Sequence, residues 1–165
     1  MLSNTAVIAN SAGSRDLQRE GTVVDEFVAD VLDAYPAVAG IDLCRDLDCA
    51  DQIFADRHAL GRALVAMLDN AVASLQDPAR IAAGQQPQCV VSTQFITTHV
   101  LLTVGDNGPG IARDIGPDLA TARQIVEAHG GTLDVHSDVG HGTTVTMWLP
   151  RHRAARPAIR VAAAA

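Results

Sequence analysis

The chain has 165 residues, enough for one hydrophobic core, and at 48% hydrophobic against 3% aromatic residues that core is built from Val, Leu, Ile and much Ala. A net charge of −7, with no Lys/Arg cluster before the last fifteen residues, excludes a protein that grips nucleic acid backbones. No apolar run approaches the roughly 18 residues needed to cross a bilayer, so no membrane contact is expected of this segment.

Residues 1–21 are rich in Ser, Asn and Ala without a sustained period, and read as a flexible arm or the remnant of a preceding helix. The folded domain is expected over 22–150 and a disordered tail over 151–165, where Arg151, Arg153, Arg156 and Arg160 sit among Ala and Pro. From Val23 to Tyr35 the residues Val24, Phe27, Val28, Val31 and Leu32 recur at helical spacing, and Pro36 ends the run. Gly40 to Leu47 alternates as a strand. Arg57 to Leu75 is the strongest helix, with Leu60, Leu64, Met67, Leu68, Ala71 and Leu75 in one stripe.

Gln88 to Gln94 and Thr98 to Val104 are β-branched segments that suggest a hairpin leading into Gly105-Asp106-Asn107-Gly108-Pro109-Gly110. Leu119 to His129 is again helical and stops at Gly130-Gly131. Thr132 to His136 and Thr143 to Leu149 give two closing strands about the turn at Gly140. This order predicts a mixed sheet with helices on one face, an α/β sandwich. Cys44, Cys49 and Cys89 are odd in number, and with no further Cys or His pair to complete a zinc site they read as reduced thiols in a cytoplasmic setting.

Two features carry candidate chemistry. Asn70 lies at the margin of the apolar stripe of its helix, beside Ala63 and Ala66, where an amide suits a hydrated divalent cation bridging phosphates; an ordinary exposed or capping Asn fits the same position. Asp106 follows an apolar strand directly, so its carboxylate can accept a hydrogen bond from an exocyclic amino group such as that of adenine. Gly108 and Gly110 allow a sharp turn or close approach to a flat ring, although D-x-G-x-G alone is only a turn signal.

Taken together, Asp69-Asn70-Ala71, then Asp106-Asn107-Gly108-Pro109-Gly110-Ile111, then Leu119-Ala120 opening a helix that ends Ile125-Val126-Glu127-Ala128-His129-Gly130-Gly131, resemble the catalytic domain of bacterial sensor histidine kinases. The stretch Gly140-His141-Gly142-Thr143 through Pro150 is similar to that family's final strand. The resemblance spans about Val23 to Pro150. It implies a Bergerat-type two-layer α/β sandwich, with a mixed, mostly antiparallel sheet and about three helices on one face. It implies ATP and Mg²⁺ as ligands, with Asp106 on the adenine amino group, Asn70 on the metal and Gly108 and Gly110 flanking the base. It further implies nucleotide-site positions for Ile111, Gly116 and Leu119, and Thr143 supporting the adenine from behind, with Val100, Leu102 and Met147 as walls or nearby core. The implied partners are a helical dimerisation and histidine-phosphotransfer domain or a response regulator.

The pattern also breaks. One turn before Asn70, where the family carries a polar residue, stands Ala66. Between Ile111 and Gly116 there is no room for the long lid of the family, and its second glycine loop is reduced to Gly116-Pro117-Asp118. Pro117 removes an N–H that a phosphate would use, and Asp118 brings like charge, worth roughly 4 kcal/mol of repulsion at about 4 Å before screening. No histidine here sits in a phosphoacceptor motif. Three readings follow: a nucleotide-binding kinase domain weakened at the phosphates, a catalytically silent module that docks a helical bundle or response regulator, or an engineered lid-deleted form.

Overall fold

The computed structural model describes residues 17–77, 84–110 and 116–152. Its element order is β1 (Glu20–Val23), α1 (Val24–Ala34), β2 (Asp42–Leu47), β3 (Gln52–Ala55), α2 (Arg57–Leu75), β4 (Gln88–Phe95), β5 (His99–Asp106), α3 (Pro117–Ala128), β6 (Thr132–Asp138) and β7 (Gly142–Pro150). The five-stranded sheet has the order β2-β4-β5-β7-β6; β2 and β4 are parallel and every other pairing is antiparallel. The three helices among the described residues cover one face, so the two-layer, mostly antiparallel sandwich expected from the sequence is the architecture found.

The period-2 pattern of the strands sorts their side chains. Cys89, Val91 and Thr93 of β4, Val100, Leu102 and Val104 of β5, and Val145, Met147 and Leu149 of β7 point to the helices and are buried. Against them α2 presents Leu60, Ala63, Leu64, Met67, Leu68, Ala71 and Leu75. Truncating a leucine in such a layer to alanine costs about 2–5 kcal/mol. On the other face the residues are polar or half-buried, as in the Thr103–Thr146 hydroxyl pair at 3.2 Å.

Two short strands escape a reading by periodicity. β1 pairs antiparallel with β3, Glu20 opposite Ala55, in a separate two-stranded sheet. Glu20 and Gly21, inside the segment 1–21 expected to be an arm, thus belong to a strand, because Thr22 is buried and the backbone finds a partner in β3. At the other end, Arg151 departs from the expected tail. Its guanidinium pairs with Asp51 at 2.6 Å and lies 5.2 Å over the Phe95 ring, while the His152 N–H donates to the Gln52 carbonyl. Arg153, Arg156 and Arg160 lie outside the described residues.

The helices that frame the site are fixed at one common end. Asp56 caps α2 by accepting the Ala59 N–H at 2.9 Å, and its second carboxylate oxygen accepts the Gln18 N–H. His129 ends α3: its Nε2 accepts the Asp56 N–H at 3.1 Å, so Nδ1 carries the proton and donates to the Ile125 carbonyl at 2.7 Å. Arg19 donates to the Ala128 carbonyl beside it. α2 and α3 therefore run antiparallel, the N-terminal turn of one held against the C-terminal turn of the other.

Candidate nucleotide site

The site is assembled on one rung of the sheet. Cys89, Asp106, Thr143 and Ser137 are register partners across β4, β5, β7 and β6, so their side chains share the helix-facing side. Asp106 is 8% exposed and Thr143 is buried, its hydroxyl 3.0 Å from that of Ser137. Burial, with the Asp106 carboxylate and Cys44 adding to it, pushes the Cys89 thiol up to about 12, so the floor under Asp106 is a neutral sulfhydryl.

Ser74 of α2 reaches this rung. Its hydroxyl donates to Asp106 Oδ1 at 3.0 Å, and the Gly108 N–H donates to the same oxygen at 2.8 Å. Gly108 is required for close approach: a β-carbon there would stand 2.0 Å from Ser74 Oγ and 2.5 Å from Asp106 Oδ1. Asn70 precedes Ser74 by one helical turn and Ala66 precedes Asn70 by another, so the three form one row along α2. Asn70 thus stands one turn along α2 from the serine that meets Asp106. The Asn70 side-chain nitrogen is buried without a hydrogen-bond partner. An orphaned buried donor of this kind points to a polar group or water expected alongside it.

Beyond Asn70 the same row opens into a groove of about 730 Å³ between the three helices, with Ala66, Arg62 and Asp69 on one wall and Asp118 and Thr121 on the other. Asp118 is exposed in the first turn of α3, where the carboxylate complements the helix dipole of its own helix. Asp69 is engaged by the Tyr35 hydroxyl at 2.7 Å, and burial followed by the Asp69 contact raises the Tyr35 phenol well above its usual range. Among the described residues no group of three or more His, Cys, Asp or Glu could hold a metal ion.

The remaining residues singled out in the sequence fall differently. Gly110, at φ +67°, packs its backbone against β6, a β-carbon there meeting the Asp138 carbonyl at 2.0 Å; it shapes the turn between two sheet ends. Gly116 is the exposed N-terminal cap of α3, with open space around it. Leu119, given a nucleotide-site position above, is a core residue at 3% exposure, because the third position of the helix turns inward. Val100, Leu102 and Met147 are likewise fully buried core, toward the middle and far end of their strands from Asp106. Ile111 lies outside the described residues, as does the rest of the shortened lid. Ser74 was not singled out in the sequence, and Cys89 only as a reduced thiol. The signal for Ser74 was its place one turn beyond Asn70, and for Cys89 the alternation of β4.

With this geometry, comparison with known proteins is specific. The profile of the histidine kinase-, DNA gyrase B-, and HSP90-like ATPase family matches residues 55–153. The chain is 32% identical over 119 residues to the sensor histidine kinase ZraS of Escherichia coli K12, covering 62% of this chain and 24% of that protein. It is 33% identical over 112 residues to the histidine-protein kinase/phosphatase MprB of Mycolicibacterium vanbaalenii, covering 56% and 22%. The chain thus spans about a quarter of the length of these relatives. Among solved structures, a mycobacterial sensor histidine kinase MprB superposes with a TM-score of 0.65 at 25% identity, covering 81% of this chain and 98% of that one. The crystal structure of full-length ShkA in complex with AMPPNP gives 0.73 at 22% identity, covering 88% and 34%. The chain belongs to the histidine kinase-, DNA gyrase B-, and HSP90-like ATPase family, and within it to the ATP-binding catalytic domains of sensor histidine kinases.

Proposed function

We propose that this chain reads adenine through Asp106, holds the phosphates of ATP only weakly, and is catalytically silent without a partner. The observation that carries the reading is the contrast along one row of α2. Ser74 binds the Asp106 carboxylate and Asn70 offers an unpartnered buried amide, whereas one turn further Ala66 offers nothing and faces a groove that Asp118 shares. Of the residues on this groove, Ala66 offers no polar contact and Asp118 adds like charge, while Arg57 and Arg62 stand nearer the start of α2.

Mg²⁺ held there would supply charge neutralisation to the phosphates. The residues present fit it sparsely: a carboxamide turned through half a rotation exchanges its donor and acceptor ends, so Asn70 can offer Oδ1, and the nucleotide and water must supply the other ligands. Asp118 opposes the metal-phosphate charge less than it opposes bare phosphate. In a longer protein of the relatives' kind the domain would act in the cytoplasm beside a helical phosphoacceptor domain or a response regulator. The loss of phosphate contacts supports a docking role for it over turnover.

Calorimetric titration with adenosine, ADP and Mg-ATP tests this. We expect all three to saturate in the millimolar range, ATP no more tightly than adenosine. Asp118→Gly should tighten Mg-ATP by roughly tenfold and leave adenosine unchanged. Micromolar Mg-ATP binding by the unaltered chain, or an unchanged ATP affinity in Asp118→Gly, would count against the reading.

A further inference from the structure

The row of α2 that carries Ala66 and Asn70 ends on Ser74. Ser74 is half-buried, one turn beyond Asn70, and its hydroxyl donates to Asp106 Oδ1 at 3.0 Å. The Gly108 N–H donates to that same oxygen from the opposite side of the turn at 2.8 Å. Two donors on one carboxylate oxygen fix the torsion of the carboxyl group, since rotating it to bring the other oxygen round breaks both bonds at once. The fit is close on every side: Ser74 Oγ occupies the space a side chain at residue 108 would take, and Ser74 Cβ lies 3.2 Å from the same point.

We propose that Ser74 is a positioning residue for base discrimination, setting the Asp106 carboxyl so that it accepts from an exocyclic amino group and rejects a carbonyl in its place. This rests on Asp106 being the base-reading group. A serine that merely tied α2 to the sheet would affect every ligand alike, whereas one that aims a carboxylate affects only ligands that present the matching donor. Adenine has an amino group at position 6 and hypoxanthine a carbonyl, so ATP and ITP, identical in sugar and phosphates, form the discriminating pair.

The experiment is titration of the full chain with ATP and with ITP, for the unaltered protein, Ser74→Ala and Asp106→Ala, with a thermal melt to show that each is folded. We expect the unaltered chain to prefer ATP. Ser74→Ala should weaken ATP roughly tenfold, the order expected for losing one hydrogen bond to a charged group, with ITP unchanged or slightly improved, so that the preference collapses. Asp106→Ala should abolish the preference altogether. Equal weakening of ATP and ITP in Ser74→Ala, or no change in either, overturns the positioning role while leaving the site intact. An unchanged ATP affinity in Asp106→Ala, or no binding of either nucleotide by the unaltered chain, overturns the adenine reading itself and this inference with it.

Discussion

Gly142 has no room for a β-carbon. At φ +103° its backbone crosses the end of β5 so closely that an added methyl would lie 1.9 Å from the Asp106 carbonyl oxygen, a backbone atom that cannot move without shifting the rung that carries the carboxylate. Gly142→Ala should therefore destabilise by about 3 kcal/mol or more, combining left-handed strain with displacement of β5. In a domain of this size that lowers Tm by on the order of 6–12 °C. A melt within about 2 °C of the unaltered chain would show that the strand end can yield. At this scale the site was half legible. Asp106, Asn70 and Thr143 stand out in the sequence because polar residues interrupt apolar periodicity at fixed offsets. Leu119 could not be separated from its neighbours, since an apolar residue opening a helix serves a core and a ligand equally well. Ser74 was hidden for a simpler reason: its partner is 32 residues away, and only the fold reveals which helix turn faces Asp106.

Between elements, the antiparallel seating of α2 and α3 depends on His129. The ring is 6% exposed and works as a neutral two-ended connector, accepting from Asp56 and donating to Ile125. Burial first, with Arg19 adding, lowers its pKa from the usual value; the Ile125 hydrogen bond and the Asp56 charge oppose this. The unfolded histidine, with a pKa of about 6.5, takes up a proton more readily than the folded one. Its contribution to stability is therefore complete above about pH 6.5 and is lost as pH falls through the folded value. His129→Gln does not titrate, so the difference in urea midpoint between the unaltered chain and His129→Gln should narrow from about pH 8 to about pH 5. A constant difference would mean that protonation there is not coupled to folding. The end of α3 was legible from Gly130-Gly131, and His129 as a helix-end residue with it. The burial of its ring was not, because that is created by Asp56 and Arg19 from distant parts of the chain. β1 and β3 escaped for the same physical cause. Four residues give too few periods to recognise, and their stability comes from pairing with each other across some thirty residues of helix and strand.

For the molecule as a whole, the chain after β7 closes the structure. Arg151 follows the last strand and ties three separate parts together. Its backbone N–H donates to the Thr98 carbonyl at the tip of the β4–β5 hairpin, its guanidinium lies over Phe95, and it reaches Asp51 immediately before β3. The pair is only partly exposed, at 22% and 26% of the two side chains, so water screens it less than a surface pair. The next residue repeats the connection, the His152 ring lying 5.3 Å from that of Phe54 and its N–H on the Gln52 carbonyl. The contacts of Arg151 could not be read from composition, which sees Arg, Ala and Pro, whereas the carboxylate that it meets lies 100 residues earlier. Removing the arginine leaves Asp51 partly desolvated and unpaired, which costs more than the loss of the pair itself. Arg151→Ala should accordingly destabilise by about 1–2 kcal/mol, and adding Asp51→Asn should recover part of that loss, giving a favourable coupling in a double-mutant cycle. Urea denaturation of the four chains measures it. Additive losses would mean that Arg151 acts through the Phe95 face and the Thr98 backbone bond, and that the two sheets are not clamped by charge.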